Sequence, residues 1–139
     1  MMIERTLGII KPDATARNLT GAIIQRIEDE GFRVVGMRQM LLSQNQAEGF
    51  YAEHRERPFF NDLVSFMTSG PVVLLAMERE DAITHWRSTM GATNPSDAPS
   101  GSIRNQYGES IERNSVHGSD SPTSATREVG YFFSCFDLV

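Results

Sequence analysis

The chain has 139 residues, 40% of them hydrophobic and 22% charged, and a formal net charge of −5. That length suits one domain, 1–139, large enough to bury about two-thirds of the surface its unfolded chain would expose. The acidic balance disfavours nucleic acid or an anionic membrane surface as partner, no apolar run reaches membrane-spanning length, the first residues lack a secretory pattern, and a lone cysteine, Cys135, excludes an intrachain disulfide; a cytoplasmic protein is expected.

Arg5-Thr6-Leu7-Gly8-Ile9-Ile10-Lys11 is short, β-prone and closed by Pro12-Asp13, which predicts a buried strand presenting Lys11 at its C-terminal end. Thr20 to Glu30 reads as a helix with Ala22, Ile23 and Ile27 on its apolar face and Gly31 as its stop. Phe32 to Leu42 alternates loosely, as a strand does, although Met37, Met40 and Leu41 blur the period. Ser43 and Gln46 form a capping box that opens a short helix carrying Phe50 and Tyr51. From Phe59 to Met67 apolar residues recur at helical spacing, and Gly70-Pro71 ends that element. Val72 to Met77, the most apolar run, predicts a central strand. Asp81 to Met90 is helical in pattern and stops at Gly91.

A loop of turn-forming residues follows from Gly91 to Ser102, long enough to be functional or interfacial. Ile103 to Tyr107 has helical character, Ser115-Val116-His117 is extended, and Gly118 permits a sharp turn. Ser121 as N-cap and Pro122 at the first position open a helix reaching about Gly130. The apolar end, Tyr131 to Val139, is expected to pack on this chain or a partner. The order β-α-β-α-α-β-α-loop-β-α, with no internal repeat, predicts an α+β sandwich of the split βαβ type. Helices are expected to cover one face of a mainly antiparallel sheet.

Neither a P-loop nor a dinucleotide-binding glycine fingerprint occurs, so any phosphate must be held by dispersed groups. The candidates are Lys11, Arg57, Arg87, Thr93, Arg104 and Arg113-Asn114, which bracket one histidine and one turn-rich loop and together can line an anion pocket. Lys11 is the only lysine among thirteen cationic residues; coding bias toward arginine and a need for a compact ammonium both account for that. His54, His85 and His117 lack metal-ligand spacing, so no dedicated metal site is expected. Ser119 and Asp120 adjoin His117 without a nucleophile elbow, which argues against a hydrolase triad. His117 is left as a nucleophile in its own right. An imidazole, with a reference pKa of about 6.5, is mostly neutral at pH 7 and can attack phosphorus if its other nitrogen is held by an acceptor, for which Glu128 is the candidate.

Arg5-Thr6 with Ile10-Lys11-Pro12-Asp13, Arg57-Pro58-Phe59-Phe60, Ser69-Gly70-Pro71-Val72, Met90-Gly91-Ala92-Thr93-Asn94-Pro95, Gly101-Ser102-Ile103-Arg104 and Arg113 through Ser121 together resemble nucleoside diphosphate kinases in order and spacing. The resemblance runs from about residue 4 to 133, and the His-Gly-Ser-Asp block is specific to that family. It implies a ferredoxin-like fold with a four-stranded sheet, and a ping-pong reaction. In that reaction His117 accepts the γ-phosphoryl group of a nucleoside triphosphate and passes it to a nucleoside diphosphate, with little base or sugar selectivity. By position, Lys11, Tyr51, Arg87, Thr93, Arg104 and Asn114 would surround phosphates and sugar. Phe59 and Ile111 would sandwich the base, and Ser119 and Glu128 would orient the imidazole. Mg2+ would ride on the nucleotide's phosphates rather than in a protein cage. The loop from Gly91 to Gly101 would be both pocket wall and subunit contact in a homo-oligomer.

Two departures from the family stand out. Gln106 replaces an acidic residue, removing a local ion pair, and the chain ends at Val139, which favours a tetramer over a hexamer. The reading from a different class is a non-catalytic nucleotide- or nucleic-acid-binding module on the same fold, in which His117 is merely present.

Overall fold

A computed structural model of the chain describes residues 2–139. Four strands, β1 (Ile3–Ile10), β2 (Arg33–Met40), β3 (Val72–Glu80) and β4 (Val116–Gly118), form one sheet in the order β2-β3-β1-β4, with every neighbouring pair antiparallel. Since β1 and β2 both run against β3, they are parallel to each other with β3 inserted between them. By the same reasoning β3 and β4 are parallel around β1. The sheet is therefore two interlocked split βαβ units, as the element order predicts.

The connections are helical: α1 (Pro12–Ala16), α2 (Thr20–Asp29), α3 (Gln44–Phe50), α4 (Phe60–Met67), α5 (Ala82–Met90), α6 (Ile103–Tyr107) and α7 (Pro122–Phe132). Short 3-10 turns stand at Ala52–His54, Pro95–Asp97 and Cys135–Asp137. The one-turn α1 directly after Lys11 is an addition to the expected order; Pro12 sits at its first position, where a missing N–H costs nothing.

Helices cover both faces of the sheet, which corrects the expectation of one covered face. Leu7, Ile9, Val72, Leu74 and Ala76 pack with α3, α4 and α7 through Phe50, Phe60, Val64, Met67 and Phe132. The alternate residues Ile10, Val73, Leu75 and Met77 pack with α2, α5 and α6 through Ile23, Ile27, Trp86, Met90 and Ile103. Central strands buried on both sides have no polar face, which is why Val72 to Met77 reads as a continuous apolar run. Ala22, placed in the sequence on the buried face of α2, is exposed; Leu19 and Ile24 pack beside Ile23 and Ile27 instead.

The blurred period of β2 has a structural cause. Its register on β3 slips between Val34 and Gly36, leaving Val35 unpaired with β3, and a one-residue bulge inverts the in-out alternation beyond it. Met37 and Leu41 are consequently exposed while Val35 is buried. The C-terminal segment packs on this chain: Phe133 is buried, Leu138 joins the core, and the Val139 N–H donates to the Val35 carbonyl at 2.9 Å. The Phe136 side chain stands clear, 94% exposed.

Away from the charged groups, the fully buried Thr6 hydroxyl is one of the internal polar groups with no hydrogen-bond partner among the described residues. An unmade buried hydrogen bond costs about 1–3 kcal/mol. Thr6→Val, which keeps the shape and the β-branch, is expected to raise the unfolding free energy by about 1 kcal/mol; a loss in urea denaturation would show that the hydroxyl is solvated.

Candidate functional site

The site is built where β4 meets the end of β1. Ile9 is paired with His117 and Ile10 with Val116, so the strand that ends at Lys11 lies beside the strand that carries the imidazole. Lys11 is the N-cap residue of α1, its backbone N–H donates to the Ser115 carbonyl at 2.8 Å, and its ammonium donates to Asn114 Oδ1 at 2.9 Å. Asn114 in turn donates through Nδ2 to the Thr93 carbonyl at 3.0 Å, tying the Gly91–Ser102 loop to the same point.

His117 is held on three sides. Its Nε2 lies 2.8 Å from Glu128 Oε1, its ring meets Phe50 edge to face at 5.5 Å between centroids, and its carbonyl accepts from Trp86 Nε1 at 3.1 Å. Glu128 is buried on α7, and Ser119 Oγ donates to the same Oε1 at 3.0 Å. Ser119 also accepts from the Leu7 N–H at 3.3 Å, so β1 anchors the pair. Burial raises the Glu128 pKa, but the hydrogen bonds and charges of His117, Ser119 and Arg127 more than offset it, and the carboxyl titrates below its ordinary value. An ionised carboxylate can only accept, so Nε2 carries a proton, and in the neutral ring the lone pair is on Nδ1.

Trp86 is a site residue that the sequence reading missed. Gly8 and Gly118 face each other across β1 and β4, and a Cβ at Gly118 would lie 2.5 Å from Trp86 Cδ1. The paired glycines form a slot in which the indole lies against the sheet beneath the His117 backbone. Gly118→Ala is expected to destabilise the fold by about 1–3 kcal/mol through this clash; chemical denaturation measures the loss, and an unchanged midpoint would mean that the indole moves freely.

The cations are stripped of water without being neutralised. Burial, then the Arg104 charge, lowers the Lys11 pKa to about 8, with Asp13 opposing. Burial, then Arg87, lowers that of Arg104 to about 10. Arg104 donates to the carbonyls of Val116 at 2.8 Å and Gly91 at 3.0 Å, and its buried Nε has no partner among the described residues. Arg104, Arg87 and Thr93 line a cavity of about 730 Å³ along α5, with Asp120 3.6 Å from Arg87 at its wall. His117 is not part of that wall; it adjoins it through Val116, whose carbonyl Arg104 holds, and through Asp120.

Other expected residues lie differently. Tyr51 is buried, its hydroxyl has no partner among the described residues, and burial followed by the Glu128 charge raises its pKa. Phe59 and Ile111 are 49% and 53% exposed, with the Phe59 ring 5.7 Å from that of His54. Arg113 turns away from the cluster to lie over Phe66 at 5.3 Å. Arg57 is exposed and does not line the cavity.

The family model for nucleoside diphosphate kinase matches residues 4–138. The chain belongs to the nucleoside diphosphate kinase family. A nucleoside diphosphate kinase of Geobacter sulfurreducens is 59% identical over 137 residues, covering 99% of this chain and all of the relative. One of Maricaulis maris is 59% identical over 139 residues, covering all of this chain and 99% of the relative. Among solved structures, the Aquifex aeolicus nucleoside diphosphate kinase superposes with a TM-score of 0.98 at 42% identity, covering 99% of this chain and all of that one. A halophilic nucleoside diphosphate kinase from Halobacterium salinarum in complex with CDP gives 0.96 at 42% identity, covering 99% of this chain and 92% of that one. The ferredoxin-like sheet order is thus that of the family's solved members.

The buried ammonium has a measurable signature. The Lys11 value of about 8 in the folded state lies below the ordinary 10.5. Below pH 8 both states are protonated and the cost of burial is fully present. As pH rises toward 10.5 the folded state sheds its proton first and gains on the unfolded state. The stability of the wild type relative to Lys11→Met is therefore expected to increase between pH 8 and pH 10 in urea melts. A difference that stays constant across that window would place the ammonium in water.

Proposed function

We propose that this kinase moves the γ-phosphoryl group of a nucleoside triphosphate to a nucleoside diphosphate by a ping-pong route through a phosphohistidine on His117. The observation that carries the reading is the His117–Glu128 pair: Nε2 is occupied by an ionised acceptor 2.8 Å away, which leaves Nδ1 as the nucleophile.

In the first half-reaction Nδ1 attacks the γ-phosphorus as the bond to the bridging oxygen breaks, and the nucleoside diphosphate leaves with that electron pair. In the second, a terminal oxygen of another diphosphate attacks the same phosphorus, the N–P bond breaks, and its electrons return to Nδ1. No net proton is gained or lost, and Glu128 supports the positive charge that the ring carries while phosphorylated. Lys11, Arg104, Arg87 and Asn114 serve by position and charge, as phosphoryl transfer demands. Phe59 and Ile111, both exposed, suit a base clamp that grips any aromatic ring without reading its edge, and Thr93 on the cavity wall joins the nucleotide site.

Among the described residues no three His, Cys, Asp or Glu side chains converge into a cation site. Mg2+ would ride on the nucleotide's phosphates, and Asp120 at the cavity wall is the carboxylate of this chain that would help to hold it. When bound, the ion neutralises phosphate charge. The exposed apolar side chains Met37, Leu41 and Phe136 support a homo-oligomer.

Mixing the protein with γ-labelled ATP is expected to leave acid-labile, base-stable label on the protein. His117→Ala should lose that label and about 10⁴-fold or more of the exchange rate while still binding ADP. No label on wild-type protein at high concentration would favour a nucleotide-binding module instead.

A further inference from the structure

β4 is three residues long, so its few ladder bonds with β1 give it little hold on its own register. A slip of one residue would send His117 to the opposite face of the sheet. The segment just before β4 holds it in place. The Val116 N–H donates to the Asn114 carbonyl at 2.9 Å across Ser115, whose φ is +75°. This is a γ-turn of the rare, strained kind, and it falls on a residue with a side chain. Ser115 is fully buried, and its hydroxyl donates to Asp13 Oδ2 at 3.2 Å.

Asp13 is itself out of water. Its carboxyl side chain is completely covered, its Oδ1 has no hydrogen-bond partner among the described residues, and Arg17 approaches Oδ2 only to 3.6 Å. A carboxylate buried with so few partners is costly, and Ser115 is the side chain to which it is bonded.

We propose that Asp13, through the Ser115 hydroxyl, latches the strained turn and so fixes the register of β4, making it a positioning residue for His117. The proposal rests on the role given above to His117. The same turn aims its neighbours in two directions: the Ser115 carbonyl receives the Lys11 N–H, and Asn114 reaches the Lys11 ammonium. Released to an ordinary φ, Ser115 would break both contacts at once and leave His117 without a fixed partner at Glu128.

The test compares full-length Ser115→Ala, Ser115→Gly, Asp13→Ala, Asp13→Asn and the double variant Ser115→Gly/Asp13→Ala with the wild type. Each is read by the single-turnover rate of labelling from γ-labelled ATP, by ADP affinity, and by NMR titration of the His117 ring without nucleotide. Ser115→Ala keeps the strain and loses the latch, and is expected to slow labelling about tenfold, the equivalent of a strained residue's energy. Ser115→Gly removes the strain along with the latch and should lose about threefold or less. Asp13→Asn, which keeps an acceptor oxygen, should recover most of what Asp13→Ala loses.

In the Ser115→Gly background Asp13→Ala should cost nothing further. If it costs the same there as in the wild type, or if glycine is as damaging as alanine at 115, the latch is refuted. Should Asp13→Ala fail to fold, the alanine and glycine variants at 115 decide. An unlabelled wild type would overturn the phosphohistidine reading alone. The latch would then be judged by whether the His117 titration departs from wild type in Ser115→Ala and returns to it in Ser115→Gly.

Discussion

The pairing of β4 with the last residues of β1 is the constraint on which the site depends. Three residue pairs, Gly8 with Gly118, Ile9 with His117 and Ile10 with Val116, bring together an amine, an amide and an imidazole from opposite ends of the chain. Other elements reinforce this junction rather than create it. α7 supplies Glu128 to one side of His117, α5 supplies Trp86 beneath its carbonyl, and α6 supplies Arg104, which grips the Val116 carbonyl. Helices on both faces are what make this possible, since each face of a three-residue strand needs its own support.

The cations of the junction differ from several that lie elsewhere on the protein. Arg5 pairs with Glu78 and Arg26 with Glu30, and such pairs leave little attraction for an outside anion. Lys11 is bonded to an amide and Arg104 to two carbonyls, so both charges are desolvated, and the Asp13 charge offsets that of Lys11 only in part. That arrangement is costly when empty, and an incoming polyanion relieves the cost. Glu128, the carboxylate nearest the imidazole, is turned to that ring and to Ser119, where it serves the ring rather than Lys11 or Arg104.

Much of this was legible in the sequence because local rules govern it. The Ser43–Gln46 capping box, the Ser121-Pro122 helix start and the central strand at Val72 each follow from short-range chemistry, and each is present. Gly31 and Gly91 end their helices with positive φ, the conformation that glycine tolerates best. Glu128 was legible as the partner of His117 because a nucleophilic ring needs an acceptor. What was hidden depends on three-dimensional pairing. The second covered face could not be read from period alone, since a continuous apolar run marks burial without saying what does the burying. The Trp86 slot needs two glycines 110 positions apart in register, and Asp13 meets Ser115 only because β1 and β4 lie side by side. The bulge at Val35 left a trace, the broken alternation of β2, without revealing its cause.

The sequence separation inside the site bears on how the protein is made. The Lys11–Asn114 bond spans 103 positions and the Leu7–Ser119 bond 112, whereas β2 and β3 can pair long before. Contacts of such long range carry the largest loop-closure entropy and form late. During synthesis the lysine therefore emerges early and waits, and a ribosome must deliver most of the polypeptide before its partner exists. A chain arrested short of Asn114 would lack both the amide that holds the Lys11 ammonium and the strand that carries His117, so the junction could not assemble on it.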